Sequence, residues 1–408
     1  MKSENSTHSW LDKPISDILP KFTIENIIIV LIILLAIVSR FYDLGARTMS
    51  HDEVNHVVPS WELSIGNGYS QDPITHGPLQ FHLIALSYFM FGDSDFTSRI
   101  PAALCSVAAI VLILFGFKRY LGKRGHLIAG ALFLISPYLL FYGRYTRNEG
   151  LIELIAVLMI YATLRYLDRG DKFSLLLLTI SHALNFAAKE TAYIYMAILL
   201  LFLAIQFLSE VIRERWRTQQ TRQVFVIITT LTLFLLVAGI VLGYLDAKLN
   251  PVNEAGELIS QSSWNIGLVA SMSVVFAVIG AIATLYLLVK GIGLDAIRHL
   301  RSFDLIVLNG TIVLPLLAAF PINMLGSILN LDWKPTDYTN IGMLRIGISL
   351  LFLGAIAFAI GLWWNRKTWL KNMAVFWGIF VVFYTTFFTN GKGFFTGIVG
   401  SLGYWLVR

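Results

Sequence analysis

Apolar runs long enough to span a bilayer alternate with short polar stretches along almost the whole chain. At about 1.5 Å of rise per residue, a hydrocarbon core of about 30 Å takes about 20 residues. Runs of that order lie near residues 24–39, 100–117, 126–142, 150–165, 173–188, 192–208, 224–245, 267–289, 305–325, 346–364 and 373–389. The pattern predicts an all-α polytopic membrane protein of about eleven transmembrane helices. No small-residue cleavage site follows the first run, so it reads as an anchor and not as a removed signal. A shorter apolar stretch, residues 79–91 (LQFHLIALSYFMF), falls short of a span and is expected as an interfacial helix within a first external loop over residues 40–98. The organisation is then an N-tail over 1–23, a transmembrane domain over 24–389 and an external C-terminal segment over 390–408.

Charge orients this layout. With the N-terminus inside, 20 of the 31 Lys and Arg fall in inner segments, which follows the positive-inside rule and places the N-tail in the cytoplasm. Letting 79–91 cross would reverse the balance. Acidic residues partition the other way, 14 of the 25 lying outside, so chemistry is expected at the outer face of the cytoplasmic membrane. The composition, 56% hydrophobic and 14% charged with a mean hydropathy of +0.70, lies far from the 45–50% and about 25% of soluble domains and excludes an ordinary soluble enzyme. A net charge of +6 in so apolar a chain is loop charge and no nucleic-acid footprint. The single cysteine, Cys105, allows no internal disulfide, and no Cys/His zinc spacing exists.

The densest polar cluster is SHDEVNH over 50–56, followed by DPITHGP over 72–78. Adjacent carboxylates near a bilayer, Asp52 and Glu53, can supply a general base, a divalent-cation ligand or both; acids at a helix N-terminus are the plain alternative. Glu53 and His56 share a helix face at i, i+3, so a metal site completed by a residue such as Glu149 stays open. A second cluster, YGRYTRNEG over 142–150, carries Arg144, Arg147 and Glu149, with Glu153 one turn deeper on the same face; here an Arg–Glu bridge pinning two helix ends competes with a functional role. In AKET, over 188–191, Lys189 and Glu190 stand between two apolar runs. Arg144, Arg147 and Lys189 thus converge on outer helix ends, where a lipid phosphate is the natural anionic ligand.

These segments in this order, with the Arg99–Ile100–Pro101 start of the second span and FFTNGKGFFTGIVGSLGYW near the end, resemble the GT-C membrane glycosyltransferases. The match is nearest the protein-mannosyltransferase and aminoarabinose-transferase branch, and within it a family of flippase-activity-associated predicted transferases. The resemblance implies a GT-C-like fold and a glycosyltransferase that moves a sugar from a polyprenyl-phosphate-linked donor to a glycan, lipid or protein acceptor, with inversion. It implies Asp52 as the catalytic acid of the Asp-Glu motif, supported by Glu53, and His76 beside the donor phosphate with Arg144, Arg147 and Lys189. Glu149, in the second acidic motif, is the next catalytic candidate and stands after Asn148 where many relatives have Asp, and the chain stops inside the family's length, which leaves the acceptor unnamed. A divalent cation is the one cofactor the carboxylates suggest. The other function class is a flippase, or its accessory subunit, for lipid-linked glycans; gathering of ionisable residues at one face favours the enzyme over a transporter with mid-membrane sites.

Overall fold

The computed structural model describes residues 23–72, 75–250, 266–329 and 331–407, so most of the expected N-tail lies outside them. Among the described residues the regular structure is helical, with no strand. The chain divides into two compact units, one of residues up to Ile198 joined by Leu308–Arg408, the other Leu199–Val307.

The first unit holds the functional motifs. Helix α1 (Ile24–Phe41) is capped by Thr23, whose hydroxyl accepts from the Asn26 N–H at 3.2 Å. Two helices of the first loop follow, α2 (His51–Ser64) and α3 (Leu79–Phe91), then α4 (Asp95–Gly116), α5 (Lys118–Ile135), the short α6 (Pro137–Tyr142), α7 (Asn148–Arg169), α8 (Lys172–Ala188) and α9 (Ala192–Arg213), which runs on into the second unit. The second unit contains α10 (Gln219–Leu249), α11 (Ile266–Ile292) and α12 (Leu294–Arg298), packed around Val211, Phe225, Leu288, Ile297 and Leu300. Helix α13 (Arg301–Leu316) returns the chain to the first unit, followed by α14 (Ala319–Ile328), α15 (Asn340–Tyr384) and α16 (Lys392–Val407).

Among the described residues seven helices, α1, α4, α7, α9, α10, α11 and α15, are long and apolar enough to cross a membrane, and the pair α13–α14, bent by 54°, is a broken span or a re-entrant loop. The molecule is a polytopic helical membrane protein; length and composition of the described helices do not by themselves confirm the expected eleven. The reasons are local. The run read as 126–142 is interrupted at Ser136, which ends α5 and caps α6, and α5 itself breaks at Gly122. Helix α8 is a shorter apolar helix. The two runs at 346–364 and 373–389 count together as α15, although the non-helical Asn365 parts it into two helices between those runs. The expected external segment over 390–408 contains α16, where Ile398 and Val399 are fully buried.

The first loop is a packed structure. Helix α3 buries Leu79, Phe81, Ile84 and Tyr88 against protein while Leu86, Phe89, Met90 and Phe91 stay exposed. Leu79 joins Leu151, Ile152, Ile155, Ala187 and Ala188 in one cluster, which ties α3 to α7 and α8. At Gly77 the loop passes so close to the end of α8 that a Cβ would lie 2.2 Å from the Ala187 carbonyl oxygen, and its N–H donates to Ala188 O at 3.1 Å. Only glycine fits there.

Glu53 fixes the loop to the bundle. Ser50 and Glu53 form a capping box at the start of α2, and the Glu53 carboxylate, fully buried, receives four further donors. Arg99 Nε donates to Oε1 at 2.8 Å and Nη2 to Oε2 at 3.0 Å, Arg47 Nη2 to Oε2 at 2.9 Å, and the Thr146 N–H to Oε1 at 3.1 Å. Burial pushes this carboxyl up, but the Arg99 hydrogen bonds and the backbone N–H groups of Thr146 and Ser50 outweigh it and hold it below its ordinary 4.5. A depressed value stabilises the fold above the ordinary carboxylate pKa, and that stability is lost as pH falls through the folded value.

Removing one partner of a buried ion pair leaves the other charge uncompensated, at a cost of about 3–5 kcal/mol. Glu53→Ala is therefore expected to lower the melting temperature severely, whereas Glu53→Leu combined with Arg99→Met recovers much of the loss. Wild-type melting of the single variant at neutral pH would contradict the anchor, as would a wild-type protein whose stability does not fall as the pH drops below the ordinary carboxylate range.

Candidate active site

Successive residues of a helix point about 100° apart, so the anchoring of Glu53 in the interior turns its neighbour outward. Asp52, with a side chain 53% exposed, lines a cavity of about 180 Å³ together with Asn55, His56, Thr75, His76 and Arg147. The Asp-Glu pair is thus divided: Glu53 is consumed by structure and Asp52 faces the cavity. Arg147 reaches Asp52 from the turn before α7, Nη1 to Oδ2 at 3.1 Å.

The cations form a linked chain. Arg147 Nε stands 3.7 Å from Glu149 Oε2, and Lys189 Nζ donates to Glu149 Oε1 at 2.7 Å. His76 pairs with Glu190, Nδ1 to Oε2 at 2.8 Å; burial raises the Glu190 carboxyl, and the hydrogen bond and charge of His76 overcome this to leave it lowered. The His76 backbone has a φ of +73°, a left-handed conformation that costs a non-glycine residue on the order of 1–3 kcal/mol. Gln71 Nε2 holds its carbonyl at 3.1 Å, and Gly77 locks the next residue onto α8. His56 stacks on His76 with centroids 6.2 Å apart, and burial first, then the charges of His76 and Arg147, pushes its pKa down to about 4.

Of the expected phosphate residues, Arg147, Lys189 and His76 belong to these linked pairs, while Arg144 does not join them. Its guanidinium donates to the Ser39, Arg40 and Asp43 carbonyls at 2.7, 3.3 and 3.3 Å, capping the end of α1. It lines a different cavity, of about 480 Å³, with Arg47, Arg99, Asp43 and the apolar Leu44, Pro137, Leu140 and Phe141. Glu153 lies deeper, its Oε1 3.4 Å from Ser106 Oγ, which also accepts from the fully buried Arg40. The metal trio of Glu53, His56 and Glu149 is not assembled: Arg99, Arg47 and Thr146 occupy Glu53, Lys189 and Arg147 hold Glu149, and among the described residues no three His, Cys, Asp or Glu side chains form a group that could hold a metal.

The sequence marks Arg99 only as a motif position and does not single out Arg47. For Arg99 a signal exists: a cation within two turns of the N-terminus of an apolar helix opposes the helix dipole and calls for a carboxylate partner. The segment after α15 is a brace that sequence reasoning misses. Thr386, Phe387 and Phe388 all take positive φ, and Thr386 Oγ1 donates to Tyr69 O at 3.1 Å while Thr396 Oγ1 donates to Gln71.

Residues 75–240 match the family of dolichyl-phosphate-mannose-protein mannosyltransferases. Polyprenol-phosphate-mannose--protein mannosyltransferases of two Mycobacterium tuberculosis strains, H37Rv and CDC 1551, are 31% identical over 109 residues, 24% of this chain and 21% of theirs. The match thus spans about a fifth of those relatives' length. Solved structures of ArnT from Cupriavidus metallidurans, one bound to undecaprenyl phosphate and one apo, align with 93% and 91% of this chain and 77% of theirs, at 15% identity and TM-scores of 0.38 and 0.37, a likeness too loose to place residues. The likeness to the dolichyl-phosphate-mannose-protein mannosyltransferases thus extends over residues 75–240, about two fifths of the chain.

Proposed function

We propose that the protein is a membrane glycosyltransferase that moves a sugar from a polyprenyl-phosphate-linked donor to an acceptor hydroxyl, at the outer face of the cytoplasmic membrane. The observation that carries this reading is the division of the Asp-Glu pair, in which Asp52 faces Arg147 at a small polar cavity while Glu53 is buried. The matched family and the donor in the relatives' name, a polyprenol-phosphate mannose, support the substrate class. The asymmetry of Lys and Arg along the chain supports the outer face.

In this mechanism Asp52 accepts the proton of the acceptor hydroxyl as its oxygen attacks the anomeric carbon. The bond from that carbon to the phosphate oxygen breaks in the same displacement, inverting the configuration, and the polyprenyl phosphate leaves with the electron pair. Arg147 and Lys189, with His76, stabilise the growing charge on the departing phosphate. Glu149 and Glu190 hold those cations in place, as positioning residues. The residues present do not fit a divalent cation, so no step runs through one. A flippase is the weaker reading because the acidic residues of the motifs gather at helix ends, with Glu153, inside α7, the one that lies deeper.

Transfer is measured with purified protein and radiolabelled polyprenyl-phosphate sugars, by loss of label from the lipid. Asp52→Asn keeps size and hydrogen bonding but removes the base, and transfer is expected to fall about 10²–10⁴-fold at an unchanged melting temperature. Full activity in that variant moves the base elsewhere.

Arg147→Ala is expected to weaken donor binding about 10–100-fold, the scale of one hydrogen-bonded charge, with Arg147→Lys less affected because it keeps the charge and loses only the fork. Unchanged donor affinity with lowered melting in Arg147→Ala and Lys189→Ala would instead make them structural ion pairs.

A further inference from the structure

His56 lies one turn beyond Asp52 on the same face of α2, lines the same cavity, and has no assigned task. The residue is 4% exposed, and its ring packs between His76 and Phe81, 6.2 and 5.3 Å away by centroids. Its Nδ1 is buried without a hydrogen-bond partner. Two other helical histidines, His82 and His126, bond Nδ1 to the carbonyl four residues back, Pro78 O and Gly122 O, each at 2.8 Å, and leave Nε2 as the buried nitrogen without a hydrogen-bond partner. His56 forgoes that bond. Native proteins leave few buried polar groups unpaired, and such a group in a polar cavity marks a partner that arrives from outside.

The chemistry of the cavity says what kind of partner. Burial first, with His76, Arg147 and Lys189 nearby and Glu149 opposing them, keeps the imidazole neutral at physiological pH. A neutral imidazole offers one donor and one acceptor, the complement of a hydroxyl, whereas the surrounding cations disfavour a metal ion. About 180 Å³ bounded by Asp52, Asn55, Thr75, His76 and Arg147 suits a small polar ring and not a lipid chain.

We infer that His56 is a specificity-determining residue of the Asp52 cavity, exchanging a hydrogen bond with one ring hydroxyl of the transferred sugar. This rests on the transferase reading and adds to it the residue that selects the sugar. A site built to bond a hydroxyl discriminates against the analogue that lacks it, because its own polar group is then left unpaired.

The test measures affinity of the purified protein for a polyprenyl-phosphate hexose and its monodeoxy analogues, in wild type, His56→Phe and His56→Gln. Wild type is expected to bind one deoxy analogue about 10–100-fold more weakly than the full hexose. In His56→Phe, which keeps the aromatic packing, that ratio falls to near one while the ratios at other ring positions stand; His56→Gln retains part of it. The inference is overturned by a His56→Phe profile identical to wild type, or by a wild type indifferent to every deoxy position. Should His56→Phe fail to fold, His56→Gln and the wild-type panel decide by the same ratios. Turnover in the same samples reports separately on the transferase reading: an intact affinity pattern without transfer would reject that reading and leave His56 as a sugar contact.

Discussion

A carboxylate and a guanidinium sharing the protein interior, Glu53 and Arg99, set the frame for the rest of the molecule's chemistry. Taking two charges out of water costs several kcal/mol per ion, and mutual attraction offsets this only with good geometry and every remaining donor and acceptor satisfied. Both conditions hold. Arg99 makes two bonds to Glu53 and two more, at 2.8 and 2.9 Å, to the Leu44 and Arg47 carbonyls. Glu53 takes its other donors from Arg47 and from the backbone at Ser50 and Thr146. Four separate pieces of chain, the end of the α1 loop, the start of α2, the start of α4 and the turn before α7, thereby meet at one carboxylate.

Around that frame, like residues are sorted into unlike roles. Asp52 and Glu53 are adjacent and chemically similar, yet one is half exposed beside a cavity and the other is sealed. Arg144 and Arg147 are three residues apart, yet the first caps a helix end and the second faces Asp52. In each case the difference comes from the direction the backbone gives the side chain. The alternation of opposite charges from Asp52 through Arg147 and Glu149 to Lys189 lets several ionisable groups share a small region without leaving an isolated charge.

Much of this is legible in the sequence. Helices occupy every apolar run, because hydrophobic length is a strong and local signal. Their division is less legible: Ser136 ends one helix and caps the next inside the run at 126–142, through single-residue backbone geometry that a hydropathy window averages away. The site motifs are visible as clusters, and Asp52, Arg147, Glu149 and Lys189 fall together. Sorting within a cluster is not visible. That Glu53 is interior depends on Arg99, 46 residues on, and that Arg144 stands apart depends on carbonyls more than a hundred residues earlier. The metal reading fails for the same reason, since i, i+3 spacing puts Glu53 and His56 on one face without showing that cations have already taken Glu53.

The central claim is that this frame presents Arg147, Lys189 and His76 to a lipid-linked phosphate beside Asp52. Its most direct test is photo-crosslinking of the purified protein with a polyprenyl phosphate carrying a diazirine next to the phosphate, read by peptide mapping. The account predicts labelling in the segments around residues 52–56, 75–77, 147–149 and 189–190, competed away by unmodified polyprenyl phosphate. Competable labelling confined to the Arg47–Arg144 cavity, or to residues 199–307, would contradict it.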